Sequence, residues 1–85
     1  MRNIRFSPSA WEDYHYWQKT DKKTVRRIND LICDCQRSLF DGIGKPEPLK
    51  ANLSGWWSRR INDADRMVYR GDDKTLDIAS LRYHY

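Results

Sequence analysis

The last third of the chain alternates. Residues 57–61, 66–70 and 75–83 read as three short strands of period two. Between them stand Asn62-Asp63-Ala64-Asp65 and Gly71-Asp72-Asp73-Lys74, two clusters of turn-forming residues. Strands joined this tightly pair as an antiparallel meander, and a meander is stable only when something covers its apolar face. The cover has to come from the first half of the chain. With 85 residues there is room for one domain, 1–85, and one modest core. Four Trp and five Tyr must supply much of that core.

The first half has the required amphipathic segments. Asn3-Ile4-Arg5-Phe6 reads as a first strand. Ser9, with Glu12 three residues on, has the form of a capping box opening a helix. Trp11, Tyr14 and Trp17 follow at near-helical spacing and are expected to pack on the sheet, with His15 off that stripe and exposed. Thr20 or Asp21 caps a second helix that ends near Ser38. Its apolar face is Val25, Ile28, Ile32 and Cys35, and most of its charges fall elsewhere. Two helices that spend their apolar faces on packing are a poor DNA-reading pair. The expected fold is α+β: two N-terminal helices packed on a mainly antiparallel, twisted sheet.

Charge narrows the partners. The net charge is +4, from 16 basic and 12 acidic residues, and residues 45–70 carry Lys45, Lys50, Arg59, Arg60, Arg66 and Arg70. A basic stretch of this kind suits a polyanion such as nucleic acid. No run is apolar enough to span a bilayer and the N-terminus has no signal-peptide pattern, so no membrane contact and a cytoplasmic location are expected. Cys33 and Cys35 point about 200° apart on a helix and cannot pair with each other.

The residues available for chemistry are few. There is no Ser-His-Asp spacing, no Gly-rich phosphate loop and no acidic metal cluster, so the reading is metal-free acid–base chemistry with no cofactor. Glu47 stands between Pro46 and Pro48, which restrict the backbone around it, with Lys45 and Lys50 near either end. His84 lies one residue from the chain's last position. RNA carries its own nucleophile, the 2′-hydroxyl. Cleaving it needs a base, an acid for the leaving 5′-oxygen and cations for the charge on phosphorus. Glu47 fits the base, His84 the acid and Arg66 the phosphate clamp. Taken singly, each has a duller reading as a surface ion pair, a solvated strand residue or an idle terminus.

Several motifs in order resemble one family. Gly44-Lys45-Pro46-Glu47-Pro48-Leu49-Lys50, Asn52-Leu53-Ser54-Gly55, Trp57-Ser58-Arg59-Arg60-Ile61, Arg66-Met67-Val68-Tyr69 and Arg82-Tyr83-His84-Tyr85 resemble the YoeB toxins of the RelE/ParE toxin–antitoxin superfamily. The likeness extends to Trp11-Glu12-Asp13-Tyr14 and Tyr16-Trp17-Gln18. It implies a ribosome-dependent mRNA endoribonuclease acting in the A site of the 70S ribosome. It also implies a YefM-type antitoxin, promoter DNA bound indirectly through that antitoxin, and a homodimer. By motif, Glu47 resembles the general base, His84 the general acid, Arg66 the phosphate-stabilising arginine, Lys50 a basic residue of the same site and Tyr85 the substrate-orienting tyrosine. Arg59 and Arg60 resemble residues that contact RNA or ribosome, and Lys45 of the same basic stretch joins them. One departure is Asp65, where many relatives have a histidine before the strand arginine. The competing readings are a ParE-like gyrase inhibitor and a basic module that docks on RNA or the ribosome without cutting.

Overall fold

The computed structural model describes residues 1–82. Along the chain run strand β1 (Asn3–Phe6), helices α1 (Pro8–Thr20) and α2 (Lys22–Arg37), and strand β2 (Glu47–Pro48). A short 3-10 turn (Ala51–Leu53) then leads to β3 (Trp57–Arg60), β4 (Arg66–Gly71) and β5 (Thr75–Ser80). The strands form one sheet in the order β1-β5-β4-β3-β2, with β1 parallel to β5 and every other pair antiparallel. This is the α+β arrangement expected, two helices on a mainly antiparallel sheet. The last strand, expected to run to residue 83, ends at Ser80, with residues 81 and 82 in a bend; the expectations placed on His84 and Tyr85 fall outside the described residues.

The start of α1 differs from expectation. Ser7, not Ser9, is the N-cap, and its hydroxyl accepts from the Ala10 amide at 3.0 Å. Pro8 then occupies the first helical position, where its missing N–H costs nothing and its fixed φ suits the helix. The Ser7 hydroxyl also donates to the Ala79 carbonyl at 2.8 Å, so the cap ties helix to sheet. Of the aromatic stripe only Trp17 is buried, while Trp11 is half exposed. Residues three and six apart drift by about 120° over two steps of a helix, which carries Trp11 off the packed face. For α2 the cap is Asp21, which accepts from the Lys23 and Thr24 amides. Its buried face is Thr24, Ile28, Leu31, Ile32 and Cys35.

The core lies between the helices and one face of the sheet. Ala10, Trp17, Ile28, Leu31, Ile32, Cys35 and Leu39 meet Met67, Tyr69, Leu76, Ile78 and Leu81 there. Because side chains alternate, burying Met67 and Tyr69 turns Arg66, Val68 and Arg70 to the opposite face, where Val68 stays covered and the two arginines are open to solvent.

Alternation fails once. Tyr69 pairs with Ile78 but Val68 pairs with Ser80, so β5 carries one extra residue, Ala79, opposite β4. Strict alternation would put Leu76, Ile78, Ser80 and Arg82 on one face; with the extra residue, the next core residue after Ile78 is instead Leu81. Leu81 is held from two sides. Its amide donates to Asp13 Oδ2 at 3.0 Å, and its carbonyl accepts from Trp17 Nε1 at 2.8 Å, both on α1. Among the described residues no helix is long and apolar enough to cross a membrane.

Candidate active site on the open face of the sheet

The open face places one carboxylate beside one guanidinium. Register sets Glu47 of β2 opposite Ser58 of β3, Ser58 opposite Val68 of β4, and Arg60 opposite Arg66. Glu47 and Arg66 thus reach each other across the intervening strand, Oε2 to NH1 at 3.9 Å. The same NH1 makes a long 3.4 Å hydrogen bond to the Ser58 hydroxyl, which is buried. The Glu47 side chain is 61% exposed and that of Arg66 30%. Both charges remain open to solvent and only loosely tied to each other. An anion can therefore displace their contact at little cost, since an exposed pair is worth about 0–1 kcal/mol.

The backbone explains how Glu47 is held. Pro48 sits at the sheet's edge, where a missing N–H is tolerated. Leu49 N donates to the Trp56 carbonyl at 2.8 Å and closes the turn back to β3. Before the strand, Arg60 N donates to the Gly44 carbonyl at 2.7 Å. Gly44 has φ +82, and a Cβ there would meet Leu31 Cδ2 at 2.7 Å, so only glycine fits. Lys45 (φ +50) and Ala51 (φ +58) bracket the segment in left-handed conformations.

The other candidates divide. Lys50 is exposed, three residues beyond Glu47 in the turn that follows β2. Lys45 and Arg60 come together with Arg27 around a separate cleft of about 380 Å³. There Arg60 NH2 lies 3.2 Å from Asp63, and Arg27 NH2 donates to the Arg60 carbonyl at 3.0 Å. Asp65, beside Arg66, is buried under the turn.

Arg59 is corrected from an RNA contact to an internal brace. It is fully buried on the core face. Its Nε donates to the Tyr69 hydroxyl at 3.2 Å. NH1 donates to Asp34 Oδ2 (2.7 Å) and the Ile43 carbonyl (3.2 Å), and NH2 to the carbonyls of Ser38 (2.6 Å) and Asp41 (2.9 Å). Those are all five donors of a guanidinium. Burial works against its charge, but the Tyr69 and Asp34 hydrogen bonds outweigh that and hold its pKa above the ordinary guanidinium value. Its hydrogen bond, with one from the Ile43 amide, holds the Asp34 carboxyl below its ordinary 3.8. Burial also pushes the Tyr69 phenol up to about 12. The signal was present in the sequence: Trp57, Arg59 and Ile61 alternate in phase, so Arg59 points where its apolar neighbours point. Ser58, out of phase with them, was the site residue that went unread.

Among the described residues no three His, Cys, Asp or Glu side chains converge as metal ligands do. What the arrangement offers is a carboxylate able to take a proton and a guanidinium able to hold an anion close to it.

Comparison with known proteins finds relatives that match most of the chain. Residues 6–85 match the model of the YoeB-like toxin of bacterial type II toxin–antitoxin systems. Toxin YoeB of Escherichia coli (strain K12) is 58% identical over 80 residues, 94% of this chain and 95% of that one. The structure of a YoeB dimer from Staphylococcus aureus superposes with a TM-score of 0.93 at 54% identity, covering 99% of this chain and 98% of its own. A YoeB–YefM complex from the same organism gives 0.90 at 52% identity, over 100% and 99%.

Proposed function

Because the chain belongs to the YoeB-like toxins of bacterial type II toxin–antitoxin systems, we propose that it is a ribosome-dependent mRNA endoribonuclease. The observation that carries this reading is the Glu47–Arg66 pair on the open face, two side chains 19 positions apart in sequence and 3.9 Å apart in space. With the message in the ribosomal A site, Glu47 takes the proton of the 2′-hydroxyl. The freed oxygen attacks the adjacent phosphorus, and the bond to the 5′-oxygen breaks. His84 gives that oxygen its proton, leaving a 2′,3′-cyclic phosphate and a 5′-hydroxyl. Arg66, aided by Lys50, stabilises the charge on the phosphorane, and Tyr85 orients the nucleotide. Lys45 and Arg60 meet RNA or ribosome phosphates at the neighbouring basic cleft.

The likeness to the S. aureus complex supports a YefM-type antitoxin as partner, with promoter DNA reached only through it. The likeness to the S. aureus dimer supports a homodimer. Exposed Ile4 and Trp11, continuous with Phe6 and Tyr14, are the apolar patch suited to a second copy. The chain acts as one domain, in the cytoplasm where its message is translated.

Primer extension on a translated mRNA tests the reaction. The parent should produce a stop within the A-site codon, and a 2′-deoxy substitution at that nucleotide should remove it. Glu47→Gln or His84→Gln should slow cleavage by about 10²–10⁴-fold. Undiminished cleavage by either variant, or of the deoxy message, would falsify the assignment.

A further inference from the structure

The open face carries a second constellation, toward its other edge. Arg5, Asp77 and Arg70 stand opposite one another on β1, β5 and β4. Arg5 grips Asp77 with two hydrogen bonds, 2.7 and 3.1 Å, and Arg70 Nε lies 4.0 Å from the same carboxylate. Two guanidiniums thus face the Asp77 carboxylate, with Asp72 acting on Arg5 from the end of β4. The Arg70 guanidinium also lies over the Trp56 ring, 4.3 Å from its centroid. Trp56 is held at both ends of its backbone: its amide donates to Leu53 at 3.1 Å and its carbonyl accepts from Leu49 at 2.8 Å. A cleft of about 310 Å³ opens among these residues, floored by Phe6, Ile78 and Ala79.

That volume is at the small end of ligand sites, room for one ring-sized group. An indole with a guanidinium over it and a second exposed guanidinium nearby are what single-stranded nucleic acid uses, through base stacking and phosphate attraction. Arg70 and Arg5 keep 57% and 71% of their side-chain surface exposed. An acidic peptide fits less well, because Asp77 already fills the carboxylate position between the arginines and would repel another. The cleft also lies on the substrate side, since Arg70 shares β4 and its open face with Arg66 four residues away, roughly 13 Å by strand rise.

We infer that Trp56, Arg70 and Arg5 form a subsite that stacks one base of the mRNA and attracts its phosphate, flanking the nucleotide held at Glu47 and Arg66. The inference rests on the RNA-cleaving reading above. Trp56 and Arg70 are positioning residues, acting on where the strand lies and not on the proton transfers.

The test couples a protein change to a message change. Cleavage on programmed ribosomes is measured for the parent, Trp56→Ala and Trp56→Phe, using intact mRNA and mRNA abasic at each nucleotide flanking the cut. In parallel, each protein's binding to ribosomes programmed with the non-cleavable 2′-deoxy message is measured. For intact mRNA, Trp56→Ala should raise KM roughly 5–150-fold, the range for loss of one stacked base, with kcat kept within a few fold. Trp56→Phe should recover most of the loss. At one abasic position Trp56→Ala should add nothing further, in cleavage and in binding alike. Equal losses on intact and abasic messages, an unchanged KM, or weakened binding of a YefM-type antitoxin alone would overturn the subsite. A parent that fails to cleave but keeps the Trp56–base coupling in binding would sink the nuclease reading and leave the subsite standing. Cleavage without coupling would do the reverse.

Discussion

Arg59 and Arg66 sit on adjoining strands of one sheet and have opposite roles. Arg59 faces the helices with no exposure and all five donors satisfied, four of them by Asp34 and the carbonyls of the loop that leads toward Glu47. Arg66 faces outward with a 3.4 Å hydrogen bond and a 3.9 Å ion pair, and the rest of its donors have water or ligand to turn to. The difference teaches how to sort cations in a basic protein. A saturated, buried guanidinium organises the chain, whereas an unsaturated one on an open face is available for an anion. The two are coupled, because the loop braced by Arg59 sets where the Glu47 segment begins.

The comparison breaks first at Arg59. Arg59→Met should cost about 3–5 kcal/mol, since it strands Asp34 and several carbonyls at once. That is a large share of the roughly 4–13 kcal/mol expected for a domain of this size. Thermal unfolding should show a fall of at least about 12 °C, and a melt within a few degrees of the parent would mean the brace is dispensable. Arg66→Ala should do the opposite. Cleavage should drop about 10²–10³-fold while stability moves by no more than about 0.5 kcal/mol. Comparable losses in both measurements would erase the distinction between the two arginines.

Smaller effects sharpen it. Gly44→Ala should cost roughly 1–3 kcal/mol, because the left-handed backbone and the contact with Leu31 both resist a Cβ. Its cleavage should suffer as well, through the displaced Glu47 segment; stable protein with full activity would show that the loop need not be fixed. Acid titration reads the Arg59 side directly. Asp34 has a lowered pKa, so its contribution is present above 3.8 and is lost as pH falls through the lower folded value. Asp34→Asn should be less stable at neutral pH and show a shallower acid limb, and identical limbs would discount the pair. At the alkaline end Tyr69 reverses the sign. Its raised pKa gives stability that is full below about 10 and is lost as pH rises through about 12. Tyr69→Phe should flatten that limb of the unfolding curve.

How much of this was legible in the sequence depends on how local each signal was. The meander, both helices and the polar turns were readable because alternation and amphipathicity need only neighbouring residues. Glu47 and Arg66 were nameable from their chemistry and motif, but their meeting depended on a two-residue strand paired through Ser58, which no local pattern announces. Trp11 was misread because an approximate helical spacing was treated as a true one. Arg59 was misread although its phase with Trp57 and Ile61 placed it inward, since charge outweighed periodicity in the reading. Its partners, Asp34 and the carbonyls of residues 38, 41 and 43, are brought to it only by tertiary folding.

The extra residue in β5 acts on the chain as a frameshift acts on a message. Up to Ile78 even positions face the core, and at Leu81 an odd one does. Ala79 spells nothing by itself, yet it decides which parity reads as interior. Deleting it would set Leu81 out of phase with the Asp13 and Trp17 contacts that receive it, whereas a substitution there leaves the count intact. The position is thus intolerant of changes in length, the reverse of what an exposed strand end ordinarily permits.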